Sequence, residues 1–197
     1  MTVFQRLSLV LFTLVLPSLA FAHSGAGEGS GFVSGFLHPL GGLDHVAAMV
    51  AVGILGAFMG KPAIWVLPIV FPIVMALGGV LGLLSVPIPG IEIGIAVSSI
   101  VLGIMILMGT QPALPVAIAV VAAFAIFHGY AHGAELPSAA NPVAYSAGFV
   151  VSTGLLHLAG IAFGELIRMP HGVKIVRAAG GIIALAGGYF LVNVFAY

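Results

Sequence analysis

Cysteine is absent from the 197 residues, which excludes disulfides, thiolate metal ligands and thiol nucleophiles together. Charge is nearly absent too. Asp, Glu, Lys and Arg make up 5% of the chain, against about 25% in soluble domains. Such a chain has too little polar surface to face water. Its formal net charge is zero and it carries no basic run, so a nucleic-acid partner is not expected. No GxxxxGK[ST] segment is found, and with it goes nucleotide-driven pumping within this chain. What the chain has instead is apolar surface: 61% hydrophobic residues and a mean hydropathy of +1.30. The lipid bilayer is the solvent that suits it.

The first 22 residues read as a separate segment. Arg6 ends a short polar start, Leu7 to Leu19 is apolar, and Ala20-Phe21-Ala22 fits the small-x-small cleavage rule. The apolar run is short beside the roughly 20 residues that a membrane span needs. A cleaved signal peptide over 1–22 is therefore expected, with an uncleaved first helix as the alternative. Residues 23–34, with Gly25, Gly27, Gly29 and Gly31, read as a flexible periplasmic leader.

Proline, glycine and charge then divide 35–197 into apolar segments at 35–59, 63–84, 91–109, 113–135, 142–167 and 173–195. The expectation is an all-α membrane protein, a compact bundle of six transmembrane helices with very short connections. Six spans that start outside put Lys61, Arg168, Lys174 and Arg177 on the inner side, in accord with the positive-inside rule. That predicts a multi-pass protein of the bacterial inner membrane with both mature termini in the periplasm.

Two clusters of ionisable residues stand out against this background. One is His38-Pro39-Leu40-Gly41-Gly42-Leu43-Asp44-His45, the other His128-Gly129-Tyr130-Ala131-His132-Gly133-Ala134-Glu135. A carboxylate at a helix centre costs roughly 2.5–3.5 kcal/mol on insertion scales, so its retention points to binding. Imidazole with carboxylate suits a divalent transition metal.

On an unbroken helix His38 and His45 would project from nearly one face. Pro39 and the Gly41-Gly42 pair make such a helix improbable, and broken helices at membrane depth recur at transporter sites. A plainer reading has Pro39 mark a helix start, with Asp44 as its cap. In the second motif His128, His132 and Glu135 share one helical stripe, and imidazoles four apart can chelate one ion. Gly129 stands where HExxH needs its glutamate, which removes a protease's general base. Gly129 and Gly133 would let a neighbouring helix approach, and the two histidines can equally be interface residues bonded to loop backbone.

Weaker candidates are His23, Glu92 and His157. His23 would join its imidazole to a new amino terminus after cleavage. Glu92 either attracts cations at the outer mouth or simply starts a helix. His157 is a stepping site, a donor to a ligand, or a satisfied core histidine. Glu165 is expected to pair with Arg168, and His171 to be a solvated loop residue. Tyr145, Ser146, Ser152 and Thr153 could hydrogen-bond between helices.

The chain resembles the HupE/UreJ family of membrane proteins associated with hydrogenase and urease accessory systems. His38, Pro39, Gly42, Asp44 and His45 meet an HPxxGxDH pattern; Phe127, His128, Gly129, Ala131, His132, Gly133 and Glu135 meet FHGxAHGxE. The resemblance implies a secondary permease for nickel or cobalt, with His38, Asp44, His45, His128, His132 and Glu135 as metal ligands. It implies no enzyme, no nucleotide and no resident cofactor, the bound Ni²⁺ or Co²⁺ being cargo. The residues alone leave two rivals: an intramembrane metal-dependent hydrolase on the same histidines, and a metal sensor or chaperone.

Overall fold

The computed structural model describes residues 31–136 and 141–196. Helix α1 is Gly31–Gly41, α2 Leu43–Met59, α3 Ala63–Leu83, α4 Ile91–Met108, α5 Leu114–Ala134, α6 Pro142–Gly164 and α7 Gly172–Ala196. A 3-10 turn at Glu165–Arg168 follows α6, and no strand occurs among the described residues. Five spans, α3 to α7, are long and apolar enough to cross a bilayer, and α1 with α2 makes a sixth that is bent by 85°. The predicted segments thus return as helices within a few residues of their expected ends. Helix α1 begins at Gly31, so the last four residues of the expected leader are helical, a correction to its boundary. The expected signal peptide and His23 lie outside the described residues.

The bend falls where the sequence weakens the helix most. Pro39 lies inside α1 and cannot donate a backbone hydrogen bond. Gly42 is extended at φ −106° and ψ 113°, and α2 starts afresh beyond it. Other ends are set as locally. Gly109 closes α4 with φ 66°, a left-handed conformation that suits glycine. The Asn141 side chain accepts from the N–H groups of Val143 and Ala144 at 3.0 and 3.1 Å, capping α6 ahead of Pro142.

In lipid no hydrophobic force separates helix from surroundings, so association rests on close backbone approach. The main helix pairs are α3 with α5, α4 with α7, and both α1 and α2 with α6. Each seam is lined by small residues. A Cβ at Gly129 or Gly133 would overlap the carbonyls of Met75 or Gly79, which zips α5 to α3 as the sequence suggests. Gly35 and Gly148 do the same between α1 and α6, and Gly53 and Gly160 between α2 and α6. Gly103, Gly180 and Gly187 bring α4 and α7 together.

Helix α2 is central: Ala48, Met49 and every residue from Ala51 to Ala57 are buried. It packs with Leu67, Phe71, Leu102, Ile106 and Val121 in the main core. Large apolar side chains face outward instead along α3 (Ile69, Ile73, Leu77, Val80) and α7 (Ile182, Leu185, Tyr189, Val192). Their helical spacing gives each helix a lipid-facing stripe.

At the end of the bundle away from the bend, Arg177 Nε donates to the Leu107 carbonyl at 2.6 Å, and Gln111 Nε2 to the Phe58 carbonyl at 3.1 Å. Arg168 Nε meets Glu165 Oε2 at 2.8 Å, as expected, and His171 is exposed in a turn. The basic residues therefore gather at one end, and the two histidine motifs at the other.

Candidate metal centre

Breaking the first span delivers its ionisable residues from two directions. His38 comes from the last turn of α1, while Asp44 and His45 come from the first turn of α2. They do not share one helical face, as an unbroken helix would have required. His128 and His132 come from the last two turns of α5, and Glu135 is that helix's capping residue.

The two motifs meet. His38 Nε2 lies 3.2 Å from Glu135 Oε2. His38, His132 and Glu135 offer one ligand atom each, all within 4.8 Å of one another. Ring contacts then carry the cluster inward. His132 lies 4.9 Å from His38 and 4.4 Å from His45, and His45 lies 4.8 Å from His128, centroid to centroid. Exposure falls along the same path: the side chain of Glu135 is 56% exposed, His38 30%, and His128 not at all. A mouth, a half-buried middle and a sealed inner end follow in order.

Hydrogen bonds decide which nitrogens are free. Asp44 Oδ1 accepts from the His45 backbone N–H at 2.8 Å and from His45 Nδ1 at 2.9 Å. A neutral His45 therefore carries its proton on Nδ1 and presents a bare Nε2, which is buried without a partner. Ser98, on α4, donates its hydroxyl proton to the Ile95 carbonyl at 2.6 Å, so its oxygen accepts from His128 Nε2 at 3.0 Å. That leaves His128 Nδ1 as the bare nitrogen, again buried and unpartnered. Both nitrogens of His132 are buried without partners. Bare imidazole nitrogens buried along a line of touching rings are ligands that a divalent ion can use in turn and that a packed core avoids.

Gly42 makes the Asp44–His45 pair possible. A Cβ at Gly42 would stand 2.7 Å from Asp44 Oδ1 and 3.0 Å from His45 Nδ1. A side chain there would force the Asp44 carboxylate and the His45 ring to shift.

Glu92 sits in the first turn of α4, exposed, at the same end of the bundle but outside the three-ligand group. His157 lies deeper, on α6, buried and away from the cluster. Tyr145, Ser152 and Thr153 are buried without hydrogen-bond partners, contrary to the interhelical bonds expected of them. Aromatic walls also enclose the cluster: Phe149 lies 4.3 Å from His132, and Tyr145 5.8 Å from His38. Ser98 was not singled out by the sequence. Its signal was a hydroxyl pair, Ser98-Ser99, in an otherwise apolar span.

Comparison with known proteins bears on the whole chain. No solved structure matches it. It is 42% identical over 190 residues to Protein HupE of Rhizobium leguminosarum bv. viciae, covering 96% of this chain and 99% of that one. The family model for HupE / UreJ protein matches residues 10–190, both histidine motifs included. With the motifs assembled into one centre and the match running nearly end to end, the chain belongs to the HupE/UreJ family.

Proposed function

We propose that this protein is a secondary permease that carries Ni²⁺ or Co²⁺ across the bacterial inner membrane, from periplasm to cytoplasm. The observation that carries the reading is the meeting of His38, His132 and Glu135, drawn from both motifs, within 4.8 Å at the half-open end of a membrane bundle. Imidazole nitrogen and carboxylate oxygen are ligands that both ions accept. Family membership agrees with it.

In this reading Glu135 and His38 capture the ion at the mouth. His132 shares it, and it then passes to the bare Nε2 of His45 and Nδ1 of His128. Ligand exchange along closely spaced groups lets an ion leave as readily as it binds. Asp44 acts through His45, holding its ring in the tautomer that leaves Nε2 free. Glu92 adds negative charge beside the mouth. The protein needs no resident cofactor and no nucleotide, and a potential of about 100 mV contributes roughly 4.6 kcal/mol to a divalent ion that crosses fully. The signal peptide over 1–22 is removed, both mature termini are periplasmic, and His23, then the first residue, is an outer trap for the ion.

The hydrolase alternative gains nothing from the geometry. Its candidate bases, Asp44 and Glu135, are each engaged with an imidazole.

The test is uptake of radiolabelled Ni²⁺ and Co²⁺ into proteoliposomes by the wild type, His38→Ala and His132→Ala. Saturable flux in the wild type that is lost in both variants is the expected result. Metal binding without flux, under either an imposed potential or a pH gradient, would sink the transport reading in favour of a sensor or chaperone.

A further inference from the structure

Beyond the cluster, Phe71 is fully buried on α3 and packs against two imidazoles. Its ring centroid lies 5.6 Å from His128 and 5.3 Å from His157. Phe71 is therefore in contact with both the innermost histidine of the centre and the remaining buried histidine of the described residues.

A second line of residues leads to the same place. Along α6, Phe149, Thr153 and His157 follow at intervals of four and so occupy one face. Phe149 touches His132. His157, eight residues on, lies about 12 Å further towards the basic end of the bundle at 1.5 Å per residue. Thr153, between them, is fully buried and its hydroxyl has no partner. His157 is 1% exposed, and neither of its ring nitrogens has a partner within hydrogen-bond geometry.

The helix opposite supplies an oxygen. Pro72 has no N–H, so the carbonyl of Pro68, four residues earlier, has no helical donor. His157 and Pro68 line one cleft between the two helices. An imidazole and a freed carbonyl thus share one cleft, and an unpartnered hydroxyl stands one helical turn away on α6. A buried core normally leaves no such set unsatisfied. Mixed nitrogen and oxygen donors without a carboxylate suit a divalent ion held weakly and briefly.

We propose that His157, with Thr153 and the Pro68 carbonyl, is a second, inner station for the transported ion, and that the Phe71 ring is the barrier between it and the His45–His128 end of the centre. The inference rests on the transport reading above. It adds a place where the ion stops and a side chain it must pass.

The experiment compares wild type, His157→Ala, His157→Gln and Phe71→Ala, each full length and monodisperse, by Co²⁺ titration in detergent and by Co²⁺ flux in proteoliposomes. Glutamine can donate to the Pro68 carbonyl but is a poor ligand for Co²⁺, so it separates a station from a tether between α3 and α6. The expected result is a flux about tenfold lower in both His157 variants, with Co²⁺ affinity at the outer centre unchanged. Phe71→Ala should carry flux at or above the wild-type rate. Wild-type flux in His157→Ala would overturn the station. So would recovery in His157→Gln alone, which would make the residue a tether, or loss of Co²⁺ binding in both variants, which would make it structural. Slowing in Phe71→Ala would overturn the barrier. Metal binding without flux in the wild type would defeat the transport reading itself and the inner station with it, a failure visible before any variant is compared.

Discussion

A single hydroxyl determines which nitrogen of the innermost imidazole is left bare. Ser98 gives its proton to the Ile95 carbonyl and so has only an acceptor left for His128 Nε2. Without it the ring loses the bond that fixes its tautomer and orientation. Removing the partner of a metal-binding histidine typically costs about 10–100-fold in affinity. Ser98→Ala is expected to weaken Co²⁺ binding by about tenfold, while Ser98→Thr, which keeps the hydroxyl, stays near wild type. Equal affinity in Ser98→Ala and wild type, by Co²⁺ titration, would show that the contact does not hold the ring. The histidines and carboxylates were legible in the sequence because ionisable groups are so rare there. Ser98 was not, because a serine thirty positions from His128 becomes its partner only once α4 and α5 lie side by side.

The broken first span is the element on which the centre depends. Its break was legible from Pro39 and the Gly41-Gly42 pair, since both weaken a helix for reasons local to the chain. What the break accomplishes was not: it turns His38 towards Glu135 and leaves His45 beside His128, contacts of long sequence separation. The two glycines have different tasks. A Cβ at Gly41 meets nothing within 4 Å, whereas one at Gly42 collides with the Asp44–His45 pair. Gly42→Ala is therefore expected to cut metal uptake sharply, and Gly41→Ala to leave it unchanged, with a melting temperature equal to or above wild type because alanine favours the helix. Uptake and thermal unfolding measured together on the two variants decide the matter. Equal uptake would mean that the pair tolerates the added methyl.

At the scale of the molecule, the spans themselves were the most legible feature. Runs of about 20 apolar residues, cut by proline, glycine or charge, leave little room for another reading. The lateral arrangement was harder to foresee, because glycines mark a close seam without naming the helix on its other side. Lys61 and Arg168 lie at the end opposite the histidine motifs, and under the positive-inside rule that end is expected in the cytoplasm. The lack of native cysteine makes this simple to test. In spheroplasts, a membrane-impermeant maleimide should label Ser85→Cys, in the exposed turn between α3 and α4, but reach Lys61→Cys only after permeabilisation. The reverse pattern would invert the topology and, with it, the direction of uptake.

The seams have one more consequence. Helix α1 is zipped to α6 through Gly35 and Gly148, and α5 to α3 through Gly129 and Gly133. The three-ligand group straddles these two pairs, with His38 on the first and His132 and Glu135 on the second. An ion held by all three residues is thus a rivet across two helix pairs that also touch through Phe149 and His132, and its departure removes one of the links between them. Loading and unloading the cargo would change the mechanical stiffness of the outer half of the bundle, so the passenger itself can act as the latch on its own doorway.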